Sequence, residues 1–171
     1  LLIHWPNDSI PLKDSIGALC NARRRGLARH IGVSNFSVAL LDEAVRLASE
    51  PLVANQCEYH PRLDQSAVIG ACKRHGLAFV SYSPLGKGEL LADPTLTAIA
   101  ARLNRKPSQI VLRWHLQQGV VAIPRSGSAQ HIRDNFGIFD FALTENDMAA
   151  ISALRSADGR LVDMGWVKFD R

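Results

Sequence analysis

The stretch Leu1-Leu2-Ile3-His4-Trp5-Pro6 reads as a strand buried along its length and chemically equipped at its end. Leu1, Leu2 and Ile3 form a short apolar run, and Pro6 stops it because proline cannot donate to a strand ladder. The C-terminal tip of the strand therefore delivers an imidazole, His4, and an indole, Trp5. The pattern recurs. Apolar runs of strand length cover residues 1–5, 31–33, 52–55, 78–81 and 120–123. They close on His4 and Trp5, on Ser34-Asn35, on Gln56 and Glu58, on Tyr82-Ser83 and on Arg125-Ser126.

Helical stretches separate these runs. Ile16, Leu19, Cys20 and Leu27 share one face; Leu40, Leu41, Ala44, Val45 and Ala48 share another, with Ser37 as its N-cap. Ala67, Val68, Ala71 and Cys72 make a third stripe that Gly76 terminates. Asp93-Pro94 starts a fourth helix carrying Leu96, Ile99, Ala100 and Leu103, and Pro107 opens a fifth with Val111, Trp114 and His115. Ser128 and Thr144 cap two more. Strands alternating with helices mean a parallel sheet with helical crossovers. An open doubly wound sheet and a closed (β/α)₈ barrel both satisfy this. A barrel gathers every strand end at one mouth, whereas an open sheet uses mainly those at its switch point. Because every strand here ends in functional groups, and no GxGxxG follows any of them, the α/β class narrows to a (β/α)₈ TIM barrel. A core strand at the chain start predicts a missing N-terminal portion, since termini normally lie at the surface. The expectation is strands four to eight of one barrel domain spanning residues 1–171, with three βα units of roughly 100 residues upstream.

Composition narrows the function classes. At 171 residues, 47% hydrophobic and 21% charged, the chain can bury a core and is not disordered. No apolar run approaches a membrane span, and no signal-peptide pattern occurs. Three cysteines without CxxC spacing give neither a disulfide framework nor a zinc knuckle, so a reducing, cytoplasmic setting is expected. The net charge of +4 is mild, and Arg23-Arg24-Arg25 reads as a solvated helix face rather than a nucleic-acid patch.

Five motifs in order carry a family resemblance: Leu2-Ile3-His4-Trp5-Pro6, Ile31-Gly32-Val33-Ser34-Asn35-Phe36, Asn55-Gln56-Cys57-Glu58-Tyr59-His60-Pro61, Ser81-Tyr82-Ser83-Pro84-Leu85-Gly86 and Ile123-Pro124-Arg125-Ser126. With these, the chain resembles the C-terminal part of an aldo-keto reductase, of the bacterial type that includes 2,5-diketo-D-gluconate reductases. The resemblance implies NADPH-dependent reduction of an aldehyde or ketone without metal or flavin, by an enzyme that is monomeric when complete. It implies that His4 orients the substrate carbonyl and stabilises negative charge there. Trp5 matches a wall of the substrate pocket. Ser34, Asn35 and Gln56 match contacts to the nicotinamide carboxamide, and Tyr82 the ring that stacks on the nicotinamide. Ser83, Leu85 and Gly86 match a loop along the pyrophosphate.

Arg125, Ser126 and the helix after Ser128 converge as a phosphate site, implied to hold the 2′-phosphate, with Asn135 reaching the adenine. His131 stands where the family usually has an arginine, which weakens that phosphate contact. The tail from Asp158 onward, with Met164 and Trp166, is expected to fold over the site. The family's acid Tyr, its Lys and its Asp lie in the units expected upstream; Tyr59 and Tyr82 match neither the acid nor its position. A catalytically inactive nucleotide-binding partial barrel is the alternative.

Overall fold

A computed structural model describes residues 1–170, in two compact units. The first comprises Leu1–Cys57, Gln65–Val80 and, among the described residues, the chain from Asp163 onward; the second comprises Glu58–Asp64 and Ser81–Val162. The elements in chain order are β1 (Leu2–Ile3), α1 (Leu12–Arg24), β2 (Ile31–Ser34), α2 (Val38–Leu47), β3 (Leu52–Glu58), α3 (Ser66–Arg74), β4 (Ala78–Tyr82), a 3₁₀ segment (Gly86–Ala92), α4 (Pro94–Leu103), α5 (Pro107–Gln117), β5 (Val121–Ala122), α6 (Ala129–Phe136) and α7 (Glu145–Ser152). The strands lie in the order β1-β2-β3-β4-β5 in one sheet, with β1 parallel to β2 and β2 parallel to β3, the order that successive βα units give. Among the described residues no helix is long and apolar enough to cross a membrane.

In the first unit β2 is buried at all four positions, as a strand covered on both faces must be. Ile31, Val33, Leu41, Ala44, Ile16 and Leu19 form the core between the sheet and helices α1 and α2. Register pairs Leu2 with Gly32 and Ile3 with Val33, then Val33 with Asn55 and Ser34 with Gln56. An irregularity between Ile31 and Val33 brings the Ala54 backbone against Gly32. A Cβ on Gly32 would sit 2.6 Å from the Ala54 carbonyl oxygen and 2.8 Å from Leu2 Cδ2, so only glycine fits there.

In the second unit the caps follow the residue chemistry. Asp93 accepts from Thr95 N at 2.9 Å ahead of Pro94, and Thr144 and Asp147 close a capping box. Burial works against the Asp147 charge, but hydrogen bonds from Arg102 and Thr144 outweigh it and hold the carboxyl below its usual range. Trp114 packs at 5.0 Å on the Tyr59 ring and donates to Ser152 Oγ at 3.0 Å.

Several elements differ from the sequence expectation. β1 and β5 are two-residue strands, shorter than their apolar runs. β3 runs three residues past Asn55, because buried Asn55 and Glu58 are fully hydrogen-bonded and their polarity does not end the strand. Leu27 lies beyond α1 and is exposed, and Ile69 rather than Ala67 faces the core from α3. The loop expected at Ser83, Leu85 and Gly86 runs into a 3₁₀ segment that starts at Gly86, with Lys87 in the left-handed region at φ 56°.

Candidate active site

The first unit ties its strand ends together through Asn35. This residue sits at φ 62°, the left-handed turn that asparagine tolerates better than other side chains, directly after β2. Its backbone N–H donates to the Gln56 carbonyl at 2.9 Å, and its side-chain amide donates to the His4 carbonyl at 3.0 Å and to Ser34 Oγ at 3.1 Å. Ser34 Oγ in turn donates to the Gln56 carbonyl at 2.6 Å. Four of the expected residues, His4, Ser34, Asn35 and Gln56, are thus joined at the C-terminal ends of β1, β2 and β3. Asn35 and Ser34 are almost completely buried, at 3% and 2% exposure, so they hold the cluster together. Gln56 is half-buried and His4 exposed.

Trp5 follows His4, with ring centroids 6.1 Å apart, and Phe169 of the tail meets it edge-on at 6.5 Å. Met164 and Trp166 are exposed, and it is Phe169 that reaches Trp5. Trp5 also borders an open groove of about 860 Å³ lined by Leu1, Leu2, Leu12, Leu19 and Leu40, to which His4, Ser34, Asn35 and Gln56 do not contribute.

The second unit carries the other expected residues. Tyr82 ends β4 and is half-buried; its carbonyl accepts from the Tyr59 N–H at 3.3 Å. Ser83 follows at φ 50°, and its carbonyl accepts from Gly86 N at 3.0 Å, a tight turn that leads through Leu85 into the 3₁₀ segment. Non-glycine residues in this conformation cluster at functional sites. After β5, Arg125 is exposed and Ser126 half-buried, with Ser126 Oγ accepting from Ser128 N at 3.1 Å. Ser128 caps α6 by accepting from His131 N at 3.4 Å. His131 and Asn135 are one turn apart on α6 and share a face. Arg133 instead donates to Gln130 at 2.9 Å, on the other side. Helix α6 buries none of its residues, so its N-terminus and the Arg125-Ser126 segment are open to an anion.

Tyr59 is 5% exposed and donates to Gln118 Oε1 at 2.8 Å; burial pushes its hydroxyl well above the ordinary tyrosine range. The hydroxyl is thus committed to Gln118 inside the second unit. Two residues of the third strand carry roles that the sequence alone does not assign. Asn55, fully buried, donates to the Phe36 carbonyl at 2.9 Å and accepts from the Phe36 N–H at 3.4 Å, clamping the turn that holds Asn35. Glu58, also fully buried, accepts backbone N–H bonds from Leu161 and Val162. A polar residue inside an apolar strand was the available signal for both.

Known proteins resemble this chain in sequence and in fold. The profile of the aldo/keto reductase family matches residues 1–156. An aldo-keto reductase of Mycolicibacterium vanbaalenii is 44% identical over 154 residues, covering 90% of this chain and 55% of the relative. A glyoxal reductase of Bacillus subtilis is 44% identical over 153 residues with the same coverage, 90% and 55%. A solved candidate 2,5-diketo-D-gluconic acid reductase B superposes with a TM-score of 0.97 at 40% identity, over 100% of this chain and 62% of the other. The Bombyx mori aldo-keto reductase solved in complex with NADP gives 0.88 at 34% identity, over 95% of this chain and 59% of the other. The chain belongs to the aldo/keto reductase family. It spans little more than half the length of the curated relatives it matches.

Proposed function

We propose that the chain is the nucleotide-binding part of an NADPH-dependent reductase of aldehydes or ketones. Bound NADPH would supply the hydride; the chain's own residues hold and orient it and polarise the carbonyl. The observation that carries this reading is the linkage of His4, Ser34, Asn35 and Gln56 at three adjacent strand ends. Asn35 fixes the His4 main chain, so the exposed imidazole is presented from a rigid point toward a substrate carbonyl, where a donor stabilises developing negative charge. Gln56, Ser34 and Asn35 offer the amide and hydroxyl groups that a carboxamide requires. In the second unit, Tyr82 presents a ring for stacking on the nicotinamide, and Ser83, Leu85 and Gly86 form the turn beside the pyrophosphate. Arg125, Ser126 and the open α6 N-terminus take the 2′-phosphate, while His131 and Asn135 take the adenine. Trp5 walls the substrate pocket.

Proton delivery needs an acid, and neither tyrosine of the chain fills that role. This chain alone is therefore expected to bind nucleotide without turnover, and the complete enzyme to act as a cytoplasmic monomer on small carbonyl compounds. The phosphate assignment is tested by titrating NADPH and NADH against the chain and following cofactor fluorescence. Arg125→Ala should weaken NADPH about tenfold, the loss of one charge-assisted contact, and leave NADH nearly unchanged. Equal weakening of both would contradict the assignment of Arg125 to the 2′-phosphate.

A further inference from the structure

Glu58 ends β3 with none of its surface exposed. An unpaired carboxylate at such a site would be costly, so its partners show what it is for. Oε1 accepts from Leu161 N at 2.7 Å and lies 2.9 Å from His60 Nε2, while Oε2 accepts from Val162 N at 2.9 Å. The two backbone donors stand more than a hundred residues further along the chain and belong to no helix or strand. A carboxylate buried in the sheet thus does for the tail what a ladder does for a strand. The approach is reinforced upstream: Ser156 N donates to the Arg62 carbonyl at 3.0 Å, and Gly159 passes so close that a Cβ would meet that same oxygen at 1.8 Å. His60 uses Nε2 on Glu58, and its buried Nδ1 meets no hydrogen-bond partner among the described residues. The imidazole therefore serves the carboxylate.

We propose that Glu58 is a positioning residue: its carboxylate seats the C-terminal tail by holding the Leu161 and Val162 amides. Beyond Val162 the chain enters the first unit, where Phe169 lies against Trp5 and Asp170 accepts from Val38 N at 2.8 Å. Glu58 thereby acts on the tail that carries Phe169 to Trp5. Its bearing on substrate rests on the reductase reading; the seating of the tail does not, so the tail is what the experiment reads.

The amide that Glu58 holds on Leu161 belongs to the peptide bond that trypsin cuts after Arg160. In the unaltered full chain, cleavage after Arg160 should be slow. Glu58→Gln replaces one acceptor oxygen with a donor, and should speed that cut about tenfold or more while leaving cleavage after Arg113, within α5, unchanged. A mere loss of global stability would raise both cuts together and would overturn the proposal, as would unchanged cleavage after Arg160. Amide exchange on the unaltered chain decides the matter if the variant does not fold. Leu161 and Val162 should exchange far more slowly than Met164 and Trp166, and equal rates would overturn it. NADPH titration on the same samples is a separate readout: loss of binding with a protected tail would sink the reductase reading and leave the role of Glu58 standing.

Discussion

His115 shows how burial, rather than a functional partner, sets a side chain's chemistry. Its ring is fully buried on α5, with Nδ1 2.8 Å from the Val111 carbonyl oxygen and Nε2 3.2 Å from that of Tyr59. Burial pushes its pKa down to about 4, even though both carbonyls favour the proton. In the unfolded chain the ring takes its proton at the ordinary 6.5. The folded state therefore binds fewer protons between those values, and stability must fall as pH drops through that window. The stabilisation is complete above about pH 6.5, and the loss by about pH 4 is of the order of 3 kcal/mol. Urea melts of the chain and of His115→Gln should show this slope in the former and its near absence in the latter. Parallel slopes would contradict the assignment. Read from sequence alone, His115 is structural, and the helical stripe suffices for that. Asn55 and Glu58 were not legible in the same way, because their partners, Phe36 and the Leu161-Val162 amides, are brought in by tertiary structure.

At the scale of elements, local chemistry was readable and register was not. Ser37, Asp93, Ser128 and Thr144 cap helices as their side chains dictate, and Pro94 and Pro107 open them. β3 continues beyond its apolar run to Glu58, the residue read as its tip, because hydrogen bonds from remote segments satisfy its polar residues. Two glycines separate local propensity from packing. Gly17 lies within α1 with open space around its Cα, so Gly17→Ala should stabilise the chain by about 0.5–1 kcal/mol. Gly32 faces the Ala54 carbonyl, and Gly32→Ala should cost about 1–3 kcal/mol through forced strand separation. Opposite shifts of the denaturation midpoint are the expected result; two shifts of the same sign would mean that the β2–β3 approach is looser than described.

Across the whole chain, the sequence order of strands, helices and strand-end residues already pointed to the family that the comparisons establish. That was possible because each strand tip is written locally, as His4-Trp5, Ser34-Asn35, Tyr82-Ser83 or Arg125-Ser126. What joins the tips is non-local: Asn35 reaches back to His4 across 31 positions, and no periodicity announces it. These residues are proposed to bind NADPH, with the acid that completes the reaction not among them. One sample tests both halves. NADPH is titrated into the full chain, a small aldehyde is added at saturation, and the absorbance of the reduced cofactor is followed. Saturable binding with no decay above the protein-free rate is the expected result. Absence of saturable binding, or a clear decay on adding the aldehyde, would contradict it.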